Sequence, residues 1–177
     1  MPNHVTSEII FRDVSPADQD AILAKVCNGE GRVDFEILVP LPLNLWLGNQ
    51  GADHEKAFGE RLGMTWTREN WGTKWNAYQS RTVERTGDTL TIVFDTAWSP
   101  PFPWLAAVFN HFKRSFDHNW LNEAADWSVE GKFKWTPDAV MGIEWSEERA
   151  NRETHERLHI LRWGCAKFED EEPETDA

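Results

Sequence analysis

Residues 76–95, NAYQSRTVERTGDTLTIVFD, decide how this chain folds. Two strand-like runs, 76–85 and 89–95, flank Gly87-Asp88, a dipeptide suited to a tight primed turn. In the second run Leu90, Ile92 and Phe94 fall on one side, so the hairpin has an apolar face that something must cover. Toward the N terminus, Val5, Ser7, Ile9 and Phe11 alternate along residues 4–11 and predict a half-buried strand. Ser15-Pro16-Ala17-Asp18 then opens a helix, with Ser15 as cap, Pro16 in the first turn and Asp18 at the positive helix end. Ile22, Leu23, Val26 and Cys27 form its inward stripe and Asn28-Gly29 stops it.

Val33, Phe35, Ile37 and Val39 also alternate, which predicts a second strand that Pro40 ends. Residues 41–65 read as an excursion, with a short helix over 53–62. Beyond the hairpin, Ser99-Pro100-Pro101 breaks the chain, and Trp104, Leu105, Val108, Phe109 and Phe112 have the spacing of one buried helix face. Trp127, Val129, Phe133 and Trp135 alternate as a strand, and 140–145 reads as one more. Ser146 is placed to cap a final helix running to about Trp163, supported by Glu148 with Arg152 and Glu153 with Arg157. Strand, helix, strand, hairpin partner, helix, strand is the order of a split βαββαβ unit, the α+β ferredoxin-like sandwich. The expected layout is a ferredoxin-like domain over 1–145 with an insertion at 41–65, a C-terminal helix over 146–164 and an acidic tail over 165–177. One sheet face takes the two helices, and the other is open or covered by the excursion and the last helix.

Composition narrows the function. The chain has 177 residues and a formal net charge of −12, half of it from six carboxylates in the last nine residues. Such a block repels itself into a solvated tail. Mean hydropathy is −0.60, and the longest nearly uncharged stretch, 37–50, is broken by Pro40 and Pro42, so no membrane segment is expected. The opening Met1-Pro2-Asn3-His4 lacks the basic and apolar regions of a signal peptide, and Cys27 and Cys165 make no disulfide framework or zinc knuckle, so a cytoplasmic location is expected. The acidic balance argues against direct binding of nucleic-acid backbones. Eleven tryptophans stand against one tyrosine, and most are expected to pack the core.

At Asn70-Trp71-Gly72-Thr73-Lys74-Trp75-Asn76-Ala77, followed one hairpin later by Thr96-Ala97-Trp98-Ser99-Pro100-Pro101, the chain resembles the YubB-like ferredoxin-like family of phage and plasmid proteins. The opening residues 1–5 and the run Val39-Pro40-Leu41-Pro42 are similar too, so the resemblance spans roughly residues 1–140 and leaves the acidic segment after Trp145 outside it. It implies a ferredoxin-like fold and an accessory product of a mobile element, with no reaction or cofactor attached.

Two readings of the long motif stay open on the residues themselves. Asn70 and Gly72 suit a turn, so that Trp71 and Trp75 flank a loop leading into a strand. Lys74 between two indoles could make a cation–π contact or meet an anion beside a stacking platform, with Thr73 and Asn76 adding hydrogen bonds and Trp98 completing a pocket. Alternatively Trp71 and Trp75 plug the core and Lys74 caps carbonyls. His155-Glu156-Arg157-Leu158-His159 matches the H-E-x-x-H zinc pattern. However, Ala150, Thr154, Leu158 and Leu161 form the inward stripe, leaving His155 and His159 on the solvated face beside Glu148, Arg152 and Arg162, with no third ligand in view. Other nucleophile elbows, phosphate loops and dinucleotide fingerprints are absent from the sequence.

These features lead to the expectation of a non-catalytic, cofactor-free binding protein in the bacterial host cell. Its partner is a host protein with a basic surface, as for a counter-defence inhibitor acting through an acidic surface. The alternative is a small nucleotide-like or sugar ligand held at the tryptophan pocket, and a zinc metallopeptidase through His155 and His159 is the remote one.

Overall fold

The computed structural model describes residues 3–48, 51–59, 62–124, 128–135 and 143–165. In chain order these hold β1 (His4–Phe11), α1 (Pro16–Val26), α2 (Ala52–Phe58), α3 (Gly63–Asn70), β2 (Tyr78–Thr86) and β3 (Thr89–Ala97). Then follow α4 (Phe102–Phe112), β4 (Phe116–Asn122), β5 (Ser128–Trp135), β6 (Ile143–Arg149) and α5 (Arg152–Trp163). The sheet order is β2-β3-β1-β4-β5-β6, antiparallel throughout. Its first four strands, with α1 and α4 as the crossovers, are the split βαββαβ unit, and β5 and β6 extend it past β4.

The hairpin forms as the sequence predicts, with Gly87 taking the positive φ of 60° that a primed turn needs. Leu90, Ile92 and Phe94 of β3 join Ile9 and Phe11 of β1 under α1 and α4, whose Ile22, Val26, Trp104, Leu105 and Phe109 fill the core. Ser15 caps α1 by accepting from the Asp18 amide at 3.2 Å.

Four elements differ from the sequence reading, the first being α3 over Gly63–Asn70, where only a short helix over 53–62 is expected. Residues 33–39 form no strand. Val33 forms an isolated bridge with Cys27, and Phe35–Ile37 is a 3-10 turn. Asn76 Oδ1 accepts from the Phe35 amide at 2.8 Å, and Asp34 Oδ1 accepts from the Glu36 amide at 3.0 Å. Side chains thus take donors that a sheet ladder would otherwise use, while Val33 and Phe35 still plug the core. The place of that strand in the unit is taken by β2, and the strand after α4 is β4, hidden in sequence because polar His118 and Asn119 occupy buried positions in it. Finally, Ser146 caps no helix: it lies within β6 opposite Lys132, and Asn151 caps α5 by accepting from the Thr154 amide at 2.9 Å. Residues 166–177, with the acidic tail, lie outside the described residues.

The second sheet face is covered by α5, which lies against β1, β4 and β5. The excursion starts on the helical side, where its Leu41 packs against the core that also takes Trp66 and Trp71. The contact under α5 is largely polar. Glu8, 3% exposed, accepts from Arg157 Nε and Nη2 at 3.0 and 2.8 Å, and from Asn119 Nδ2 at 2.9 Å. Asp95, fully buried, accepts from Thr6 Oγ1 at 2.7 Å and Arg162 Nη1 at 3.0 Å, and Arg162 Nη2 reaches Glu123 at 2.7 Å. Arg162 is therefore a bridge under the helix and not the solvated residue its position in sequence suggests. Arg157 likewise pairs across to Glu8 on the sheet, and Arg152 pairs with Glu156 within the helix.

Candidate functional site

The long motif begins as α3 ends. Asn70 closes that helix by donating Nδ2 to the Trp66 carbonyl at 2.9 Å, and Trp71 is its C-cap. Trp71 is 2% exposed, meets Phe35 and Trp66 edge-on, and donates Nε1 to the Val39 carbonyl at 2.8 Å. It is a core residue. Gly72 then turns the chain at φ 84°, and a Cβ there would strike Pro103 and the Phe102 amide. Its carbonyl accepts the Ser99 hydroxyl. Thr73, 1% exposed, donates to the Ala97 carbonyl at 2.8 Å and accepts from the Ala97 amide at 3.2 Å. The two motifs are thus one interlocked corner, with residues 72–73 clamped against residues 97–103. Asn76 belongs to the same frame, since its Oδ1 accepts from Phe35 and Ala77 and its Nδ2 donates to Asp34.

This frame turns two other indoles outward. Trp75 is 45% exposed and Trp98 41%. The Lys74 ammonium lies between them, 4.8 Å from the Trp75 ring centroid and 4.6 Å from that of Trp98. The sandwiching pair is therefore Trp75 and Trp98, not the Trp71 and Trp75 expected from sequence spacing. Arg68, which the sequence reading did not single out, places its guanidinium carbon 5.0 Å from the same Trp98 ring. The signal was its position on the last turn of α3, three residues before Trp71. Among the described residues neither Lys74 nor Arg68 pairs with a carboxylate, whereas Arg12, Arg85, Arg114, Arg157 and Arg162 all do.

Trp98 has a φ of 73°, in the left-handed region that bulky residues avoid. The Trp98 amide donates to the Asn3 carbonyl at 2.9 Å, and Thr96 Oγ1 donates to the Ser99 carbonyl at 2.8 Å, which hold it there. Lys74 also lines a cleft of about 630 Å³, together with Glu36, Leu41, Leu47, Met64, Trp71 and Trp75 among others. That volume suits a small ligand. Tyr78 stands edge-on to Trp75 at 6.4 Å, donates its hydroxyl to the Thr96 carbonyl, and lies 2.7 Å from His4 Nδ1. Burial, reinforced by Asp95, pushes its phenol up to about 12, so it stays protonated.

The zinc-like pattern has a different setting. His155 Nδ1 lies 2.8 Å from Ser128 Oγ, His159 Nδ1 lies 2.9 Å from the Cys165 carbonyl, and the two rings are 6.3 Å apart. Among the described residues no three His, Cys, Asp or Glu side chains are grouped to hold a metal ion. Cys27 is buried, which pushes its thiol up to about 11 and removes it as a nucleophile. No described helix is long and apolar enough to cross a membrane.

With the interlocked corner and the sheet in view, comparison with known proteins adds a family. The family described as the ferredoxin-like domain in Api92-like protein matches residues 71–161. This chain belongs to that family. The Api92-like segment starts at Trp71, holds the whole clamp between residues 72–73 and 97–103, and continues through β6 into α5. The family pattern therefore includes the region after Trp145 that the sequence resemblance left out. No curated protein and no solved structure matches the chain.

Proposed function

We propose that this protein is a non-catalytic binding protein of a phage or plasmid, of the YubB type, that holds a small nucleotide-like ligand in the cytoplasm of its bacterial host. The observation that carries this reading is the Lys74 ammonium between two exposed indoles, with Arg68 beside it and no carboxylate neutralising either cation among the described residues. Indoles offer stacking faces and unpaired cations offer charge to a phosphate. Stacking and charge pairing are binding chemistry, and that is what this surface supports. The test is thermal unfolding and calorimetry with a panel of nucleotides and sugars, on the wild type and on a Trp75→Ala, Trp98→Ala double variant. A ligand at about 100 times its Kd adds about 2.7 kcal/mol, which raises Tm by several degrees in the wild type only. No shift across the panel, or equal shifts in both proteins, contradicts the reading.

A second reading is a host-protein inhibitor that presents an acidic surface to a basic partner. The edge strand β6, with Glu147 and Glu148 exposed in a chain of net charge −12, supports it. Deleting residues 146–177 would strip β6 and α5 from the sheet, so the test is charge reversal at Glu147 and Glu148. Capture of a basic host protein that weakens with salt and is lost on reversal is the expected result. Capture indifferent to both contradicts it.

A further inference from the structure

Resting on the nucleotide reading, the geometry points to a ligand with two aromatic rings joined through one anionic group: a dinucleotide, neither a mononucleotide nor a polynucleotide. Trp75 and Trp98 share one ammonium, so their ring centroids are no farther apart than its two distances together, 4.8 and 4.6 Å. That is one anion subsite between two stacking subsites. The subsites are also distinct in their surroundings, because Trp75 lines the cleft of about 630 Å³ while Trp98 stands outside it under Arg68.

The free protein holds its cations on the rings. A cation–π contact at an exposed site is weak compared with stacking of a base and pairing with a phosphate. Ligand entry therefore exchanges partners: each base takes an indole face, and Lys74 and Arg68 move on to the linking phosphate. The left-handed backbone at Trp98 gives independent support. An exposed indole at φ 73° recovers little burial for the strain it carries, so its placement is explained by what it contacts from outside. The same −12 charge that repels long polyanions sets the upper size.

The experiment is calorimetric titration of the full chain with AMP, with the dinucleoside monophosphate ApA, and with a twenty-residue oligoadenylate. ApA carries less charge than AMP, so tighter binding of ApA reports its second ring. ApA is expected to bind at least about tenfold more tightly than AMP, and Trp98→Ala is expected to bring ApA down to the affinity of AMP measured on the same variant. Lys74→Met is expected to weaken both. Unfolding curves establish that each variant is folded. Equal affinity for AMP and ApA overturns the two-ring inference and leaves the nucleotide reading standing. Tighter binding of the oligoadenylate per site overturns the size limit. Binding of none of the three overturns the inference and the nucleotide reading together.

Discussion

Trp71 and Trp75 stand four residues apart in one motif, and their side chains have opposite fates. Trp71 donates its indole N–H to Val39 inside the core, and Trp75 leans on Lys74 in solvent. Trp71→Ala is therefore expected to cost about 3–5 kcal/mol in urea unfolding, and Trp75→Ala to stay within about 0.5 kcal/mol of wild type. Similar losses for both would place Trp75 in the core as well. The letters made this region legible as a site, but not which indole points which way. That choice is made by Gly72, whose positive φ and close approach to Pro103 depend on a segment about thirty residues on. His118 gives a second residue-scale prediction. Fully buried in β4, with Nε2 3.2 Å from Ser7 Oγ, it is held neutral by burial, its imidazole pushed down to about 3. Above pH 6.5 both folded and unfolded chains carry it neutral. Below that, the unfolded chain takes a proton that the folded one refuses, so stability falls with pH by up to about 1.4 kcal/mol per unit toward pH 3. His118→Asn is expected to lose this slope when unfolding free energy is measured from pH 7 to 4, and an unchanged slope contradicts the assignment.

At the scale of elements, α5 is held to the sheet by charge as much as by Thr154 and Leu158. Arg162→Met leaves Asp95 buried without its ion partner, and the expected loss is about 3–5 kcal/mol. A loss that Asp95→Asn in the same chain does not reduce would show that the pair is not the cause. The polar character of this contact is also why the region was hard to read. Residues 140–145 read as a strand and the run from Ser146 as helix, whereas pairing with β5 carries the strand on to Arg149. In β4, polar residues suit a buried position because Glu8 and Ser7 of β1 receive them. Conversely, the alternation of residues 33–39 was real, but Asn76 captures the Phe35 amide and turns the segment into a core plug. The hairpin and the helices α1 and α4 were legible because turn chemistry and apolar spacing act locally. β1, β5 and the end of α5 at Trp163 were legible in the same way, whereas the turn at 35–37, β4 and the extent of β6 are decided by partners distant in sequence.

Across the whole molecule, the family match and the folding unit differ in extent. Residues 71–161 carry the recognisable pattern, but β1 lies between β3 and β4 and supplies Ile9 and Phe11 to the core. The 71–161 fragment alone is expected to show no cooperative unfolding transition, since two strands would lose their shared neighbour. A sharp transition with dispersed amide resonances would contradict this. The same architecture bears on the proposed site: β1 begins beside Asn3, whose carbonyl holds Trp98, so the tryptophan corner depends on both the first strand and the family segment. Fluorine NMR of the chain labelled with 5-fluorotryptophan tests that arrangement most directly. Of its eleven indole signals, those of Trp75 and Trp98, assigned by single Trp→Phe variants, are predicted to move on addition of ApA while Trp71 and Trp104 stay in place. Unmoved signals from Trp75 and Trp98 at saturating ligand, or movement confined to the buried indoles, would contradict it.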